Sequence, residues 1–379
     1  VQIGGAGILS RRPKMKISDS LYLMLITVLL VASLLGFAVL RGGEETLPLD
    51  GEDSGYRVAP SGERYTVPME EMTRICLGTG CIPPLDSPSF TRDPSWMEES
   101  DTVIGVVHEG RSYAFPLDIM RYHAVANTNI SGDPVAVTYS PYSGVPRVFS
   151  REAGGRTLDL THSGLLYRGN MVMEDPVTGS LWSQFSGEAI RGEAVPGHLE
   201  RLEADMVRWS IWRSNHPSTL VLSRNTGIYN RSAYRSDIYF NYRNSRWVPA
   251  DTSIEFESPK EVVYGIRSGG DAMAYRSANI RGLDLIQDRV GGVPVMVVHD
   301  EKSGTVEVYV RKVRGEETDF SLEQGRLVDS RTGSTWNMDG EATSGPLEGE
   351  NLQEIDVTRS YWYTWKLFHP GTSLYEPGD

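Results

Sequence analysis

"WSIWRSNHPST" occupies residues 209–219 and "WYTWKLFHPGT" residues 362–372. Both follow the frame Trp-x-x-Trp-x-x-x-His-Pro-x-Thr, so Trp209, Trp212 and His216 recur as Trp362, Trp365 and His369. An accidental repeat would stand alone, whereas a duplicated unit would carry further matches in the same order. Such matches are present. At an offset of 160, Gly105 falls on Gly265, Gly110 on Gly270, Pro134 on Pro294, Gly144 on Gly304 and Arg151 on Arg311, with no gap over 47 positions. At an offset of 154, "DPVTGSLW" (residues 175–182) falls on "DSRTGSTW" (residues 329–336), which pairs Trp182 with Trp336. Shared glycines, turns and tryptophans in one order point to a tandem duplication whose second copy is shorter.

Within a copy, "TVIGVV", "VAVTY", "PRVFS" and "TLDLT" are short β-branched or aromatic runs set between Gly-Asp-Pro and Ser-Gly turns, the pattern of an antiparallel sheet. Two helices are expected. One is "LDIMRYHAVAN" after Pro116; the other places Leu202, Met206, Trp209 and Trp212 on one apolar stripe. It should end at His216, because Pro217 disfavours the α region in the residue before it. The expected fold class is α+β, strand-rich, with the tryptophans filling the core between sheet and helix.

Residues 21–40, "LYLMLITVLLVASLLGFAVL", carry no charge, and 20 residues at a helical rise span about 30 Å, the thickness of a bilayer core. Arg11, Arg12, Lys14 and Lys16 precede this run, and Glu44 and Glu45 follow it, so a single transmembrane helix would leave the N-terminus in the cytoplasm. Cleavage as a signal peptide is the alternative. The organisation expected is a basic tail (1–20), an anchor (21–40) and a flexible stalk (41–67). A first domain (68–223), a Tyr-rich connector (224–261) and a second, shorter repeat (262–379) complete it.

A net charge of −13 argues against nucleic acid as a partner, since phosphate contacts need clustered Lys and Arg. The two cysteines, Cys76 and Cys81, sit in "RICLGTGCIPP"; outside the cytoplasm they most simply form a local disulfide, with a metal pair or reactive dithiol as alternatives. Asn129 and Asn230 stand in glycosylation sequons. "ISGDP" and "RSGGD" lack the Gly-Lys-Ser/Thr of a phosphate loop, and Asp175, Gln184 and Glu188 read as turn and capping residues before they read as acid–base groups.

"GCIPPLDSPSF", "VIGVVHEGRSYAFPLDIMRYHAVANTNISGDPVAVTYSPYSG", "SGLLYRGNMVMEDPVTGSLWSQFSGEAIRG" and "WSIWRSNHPSTLVLS" resemble the DUF3179 family, extracytoplasmic proteins without an assigned function. The resemblance runs from about residue 80 to 223 and more weakly to the C-terminus. It implies a fold and places Tyr-Cys-Pro-Leu-Cys where this chain has "YSPYS", with Ser140 and Ser143 in place of both sulfurs. A hydroxyl does not replace a thiolate at neutral pH, so thiol redox or soft-metal chemistry loses its ligands. The second copy has "HDEKS" there, ending at Ser303 and beginning with His299.

His123 matches the family's helical histidine, and Leu283 replaces it in the second copy. With Asn127 one turn on, it is a metal or acid–base candidate, and with Ser140 a base–nucleophile candidate; its bland reading is a buried histidine tied to a backbone carbonyl. His216 and His369, kept in both copies, read as helix C-terminal residues of the shared fold. No cofactor and no resident transition metal is expected, with His123 and His299 the weak metal candidates. Three functions remain open: a membrane-anchored extracytoplasmic binding or assembly module working through protein contacts or self-association, an enzyme or metalloprotein around His123 and residues 139–143, and a cell-surface or filament subunit.

Overall fold

Alternation along the strands sets the layers. In the first half, Thr102–His108 (β1) turns back into Arg111–Pro116 (β2), and helix α1, Leu117–His123, follows. Val125–Ile130 (β3), Asp133–Ser140 (β4) and Val145–Ser150 (β5) make a second sheet. Thr161–Tyr167 (β6), Asn170–Asp175 (β7), Ser180–Ser183 (β8) and Ala189–Arg191 (β9) make a third. Asp205–Arg208 (β10), Trp209–Asn215 (α2) and Leu220–Leu222 (β11) return to the first sheet, whose order is β10-β1-β2-β11 with β11 parallel to β2. The fold is α+β and strand-rich. The computed structural model describes residues 55–78, 80–250, 257–300 and 302–377, and from Gly55 onward the chain forms one compact unit.

The second half runs through Val262–Ser268 (β12), Asp271–Arg276 (β13), Ser277–Leu283 (α3), Leu285–Val290 (β14), Val293–His299 (β15) and Val306–Val310 (β16). Phe320–Glu323 (β17), Arg326–Asp329 (β18), Thr335–Trp336 (β19), Ala342–Ser344 (β20), Val357–Tyr361 (β21), Trp362–Phe368 (α4) and Ser373–Leu374 (β22) complete it. Its sheets, β21-β12-β13-β22, β14-β15-β16 and β17-β18-β19-β20, have the strand order of the first half's cores. Even the register agrees: Gly105 pairs with Ala114 and Asp205, and Gly265 with Ala274 and Thr358.

The middle sheet of each half is buried on both faces. Val135 and Val137 of β4 join Ile104, Phe115 and Met120 in one core, while Ala136 joins Phe149, Met171 and Trp182 in the next. In β15, Val295 and Val297 face Ile266 and Ile280, and Met296 and Val298 face Leu327 and Trp336. Trp182 and Trp336 thus pack between two sheets rather than between sheet and helix, because the strands carrying them belong to the third layer.

The shared frame has a common geometry. The ring of Trp212 lies over Gly105, where a Cβ would come within 2.3 Å of it; the ring of Trp365 lies over Gly265 at the same 2.3 Å. Trp212 Nε1 donates to Thr219 Oγ1 at 3.0 Å and Trp365 Nε1 to Thr372 Oγ1 at 2.9 Å. His216 and His369 cap their helices with ring centroids 4.0 and 4.1 Å from those tryptophans.

Several sequence expectations are corrected. The second helix begins at Trp209, not near Leu202: Asp205–Arg208 hydrogen-bonds to β1 as an edge strand, and sheet pairing outweighs the apolar spacing. "LDIMRYHAVAN" is helical only to His123, since Ala124 adopts φ +59 and the chain leaves as β3, which carries Asn127. Of "TLDLT" only the ends are strand. Residues 55–67, assigned to the stalk, are structured: Arg57–Val58 and Arg64–Tyr65 pair, and Tyr65 adds to Arg191 of β9. The apolar run 21–40, its basic flank and the rest of the stalk lie outside the described residues, among which no helix is long and apolar enough to cross a membrane.

Gly105→Ala and Gly265→Ala should each destabilise the chain by ~3 kcal/mol or more, because the added methyl meets an aromatic ring fixed at both ends. Gly282, which has nothing within 4 Å of its Cβ position, serves as the control and should tolerate alanine. Denaturant titration decides it: equal midpoints for all three variants would remove the clamp from the account.

Candidate functional site

His123 ends α1 and is completely buried. Its Nδ1–H donates to the Pro83 carbonyl at 2.8 Å, which fixes the lone pair on Nε2. Tyr234 Oη donates to that nitrogen at 2.6 Å and in turn accepts from Thr226 Oγ1 at 2.6 Å. Burial holds the imidazole pKa below its ordinary value. Both nitrogens are therefore engaged, and neither bonds to Ser140 or Asn127. Asn127 instead donates to Asp86 Oδ1 at 2.8 Å and to the Leu160 carbonyl at 2.9 Å, tying the middle sheet to the chain ahead of β6.

The Tyr139–Ser143 segment closes the β4–β5 turn, and both serines are fully buried. Ser140 Oγ accepts from the Met171 N–H at 3.2 Å. Ser143 Oγ accepts from Asn170 Nδ2 at 2.9 Å, and Asn170 also donates to Gln184 Oε1 at 2.7 Å. Gln184 Nε2 continues to Thr138 Oγ1 at 3.0 Å. The hydroxyls hold the turn against β7 and β8. Asp175, Gln184 and Glu188 do not converge: Asp175 caps its own turn through Val177 N and Thr178 Oγ1, and Glu188 accepts from Ser186.

The second half covers this turn. Tyr361 N donates to the Ser143 carbonyl at 2.7 Å, Arg359 Nη1 to that of Gly144 at 2.8 Å, and Tyr363 Oη to that of Tyr142 at 2.9 Å. The ring of Tyr361 lies where a Cβ on Gly144 would stand, 3.0 Å away. The contact is reciprocal, since Gly304 packs on Ile211 and Val207 of the first half. The connector adds a second cover: Tyr239 and Tyr242 meet Tyr142 edge-on at 5.4 and 5.0 Å.

Cys76 and Cys81 are bonded, with Cα atoms 6.2 Å apart. One nitrogen of His162 and both sulfurs lie within 4.8 Å of one another. Sequence reasoning missed this histidine, which is remote in the chain and replaces nothing periodic. Gly164 N donates to His162 Nδ1 at 2.8 Å, so the proton sits on Nε2, and burial pulls its pKa down to about 4. A disulfide offers no thiolate to a cation, so only the reduced pair would make a two-sulfur, one-nitrogen ligand set. Asn129 and Asn230 are exposed.

Two neighbouring hollows separate the halves and share a wall of Met206, Val207, Tyr264, Gly304, Val306 and Arg359. One, of about 380 Å³, gathers Glu203, Asp205, Glu307, Asp339, Glu354 and Asp356 beside Arg147 and Arg201. The other, of about 430 Å³, includes Arg208, Arg281, Arg359 and His299. None of these but His299 stood out in the sequence; each is unremarkable alone, and only the packing of the halves gathers them. Arg147 Nη2 donates to Thr358 Oγ1 at 2.6 Å, and burial lowers its pKa to about 9. At an offset of 160 its counterpart is Glu307, which faces Asp205, the counterpart of Thr358. Burial and then the Asp205 carboxylate raise the Glu307 pKa to about 7; burial and Glu203 raise that of Asp205 to about 6.

Because Glu307 binds a proton more tightly when folded, its stabilising contribution is complete at pH 4 and is lost as pH rises through about 7. Glu307→Gln should therefore stabilise the chain at pH 8 by ~1–2 kcal/mol, and the gain should vanish near pH 4. Urea titrations at both pH values measure it; the same gain at both would refute the assignment. Separately, labelling the unreduced, denatured protein should find no free thiol.

No curated protein and no solved structure matches this chain. A family profile described as "Protein of unknown function (DUF3179)" matches residues 79–372, from the disulfide loop through the last threonine of the second Trp-His-Pro-Thr frame. That span takes in both halves and both hollows, and the chain belongs to the DUF3179 family.

Proposed function

We propose that the chain is a tandem pair of DUF3179-type units, held outside the cytoplasm on its N-terminal apolar segment, that works as a binding or assembly module by contact. One observation carries the contact reading. Both nitrogens of His123 and the hydroxyls of Ser140 and Ser143 are committed to buried hydrogen bonds that hold the fold, under cover from the connector and the second half. A nucleophile and a base need a free lone pair and a substrate beside them. The hollows between the halves, by contrast, present charged groups to a solvent-filled space, the usual location of ligand sites in two-unit proteins.

The duplication is supported by the common strand order, the matching registers at Gly105 and Gly265, and the two tryptophan clamps. The location is supported by the apolar run 21–40 with its basic flank and by the disulfide, a bond that persists in oxidising compartments. A metal-centre reading has one observation in its favour, the closeness of His162 to both sulfurs, and it requires the disulfide to be reduced.

Protease added to intact cells should digest residues 55–379 of the full-length chain, and the protein purified without reductant should hold no stoichiometric copper, zinc or iron. His123→Ala should lower its melting temperature, because Tyr234 loses its acceptor, and leave metal content unchanged. Complete protection from protease would defeat the location; one tightly bound transition metal per chain, lost in His123→Ala, would defeat the contact reading.

A further inference from the structure

The second half leaves open a corner that the first half fills with its own chain. In the first half, Arg121 is bonded to Asp118 at 2.9 Å, and Asp237 of the connector lies 4.0 Å from it. Asp237 is also bound by Arg243, and Tyr239 and Tyr242 of the same stretch pack against Tyr142. The connector thus lays an acid flanked by aromatic rings onto this corner.

Shifting by 160 residues maps Arg121 onto Arg281, Tyr139 onto His299 and Asp118 onto Ala278, and the 153-residue shift maps Arg208 onto Tyr361. The guanidinium is retained and its neighbouring acid is replaced by a methyl group. Among the described residues, no connector segment lines this corner to supply another acid. The result is the hollow of about 430 Å³, lined by Arg208, Arg281, His299 and Arg359, which it shares with the acidic hollow, and by no carboxylate. Asp284 approaches His299 at 3.8 Å but does not line the hollow. Among the described residues, neither the Arg208 nor the Arg281 side chain has a hydrogen-bond or ion-pair partner. Both arginines are exposed, and Arg359 stands beside them in the same concavity. Met206, Ile211 and Val306, all partly exposed, give the same hollow an apolar side.

We propose that this hollow binds a carboxylate carried on an apolar or aromatic body, with Arg208 and Arg281 taking the carboxylate and Met206, Ile211 and Val306 the body. The chemistry is that of Asp237 and its tyrosines in the first half, supplied by a separate molecule. Arginine's planar fork matches a carboxylate in two-point contact, and this pairing is stronger than a neutral hydrogen bond. The assignment deepens the contact reading above by naming the ligand class of one surface.

The test titrates detergent-solubilised full-length protein with 3-phenylpropanoate, 3-phenylpropanamide and inorganic phosphate, following binding by ligand-observed NMR. The propanoate should bind saturably and the amide at least about tenfold more weakly, because it lacks the charge. Arg281→Gln and Arg208→Gln should each weaken the propanoate by about tenfold or more with the melting temperature unchanged. Equal binding of acid and amide, wild-type binding by both variants, or binding of phosphate without the propanoate would each overturn the proposal. Any of those results leaves the location and the contact reading to be decided by their own protease and metal measurements.

Discussion

Each half depends on a tryptophan resting on a glycine. The indoles of Trp212 and Trp365 occupy the volume that a side chain on β1 or β12 would need, so helix and strand approach more closely than two ordinary residues permit. Neither indole is held by packing alone, since its N–H is bound by a threonine seven residues on and its face by the histidine between them. Trp, His and Thr recur together because each restrains the same ring, and the proline fixes the turn that brings the threonine back. Loss of one member would loosen the seat of the others.

With the clamps set, the halves present matching surfaces and use them on each other. The turn at Gly144 goes under β21 and α4, and the turn at Gly304 goes against β10 and α2. Stacking of Phe185 on Phe368, with ring centroids 3.9 Å apart and planes at 8°, and the Arg201–Asp356 ion pair join the same boundary. The two sides are nevertheless unlike. Arg147 finds a threonine where Glu307 finds an aspartate, and Tyr361 fills the corner that Arg208 leaves open. The boundary is closed by hydrogen bonds on one side and hollow on the other.

Much of this was legible in the sequence. The Trp-His-Pro-Thr frame, the gapless glycine register and the cysteine pair are local or periodic signals, and each reports a local constraint: a ring over a glycine, a turn, a short covalent loop. The helix limits were not legible, because Leu202 and Met206 fit a helical stripe while β1 offered Asp205–Arg208 an unpaired edge. Asn127 reads as His123's partner by helical spacing, yet the left-handed residue Ala124 ends the helix before it. The charged hollows lay beyond sequence reading altogether. Arg208, Arg281 and Arg359 sit in three separate segments and meet only once the halves dock.

Tyr234 Oη on His123 Nε2, with Asp237 near Arg121, has a kinetic and thermodynamic consequence for the first half. A segment tethered at both ends meets its docking surface at an effective concentration on the order of millimolar, and does so without diffusing to find it. A free molecule of equal intrinsic affinity would have to exceed that concentration to displace it. The first corner is thus reserved for the chain itself, whereas among the described residues no part of the connector lines the second.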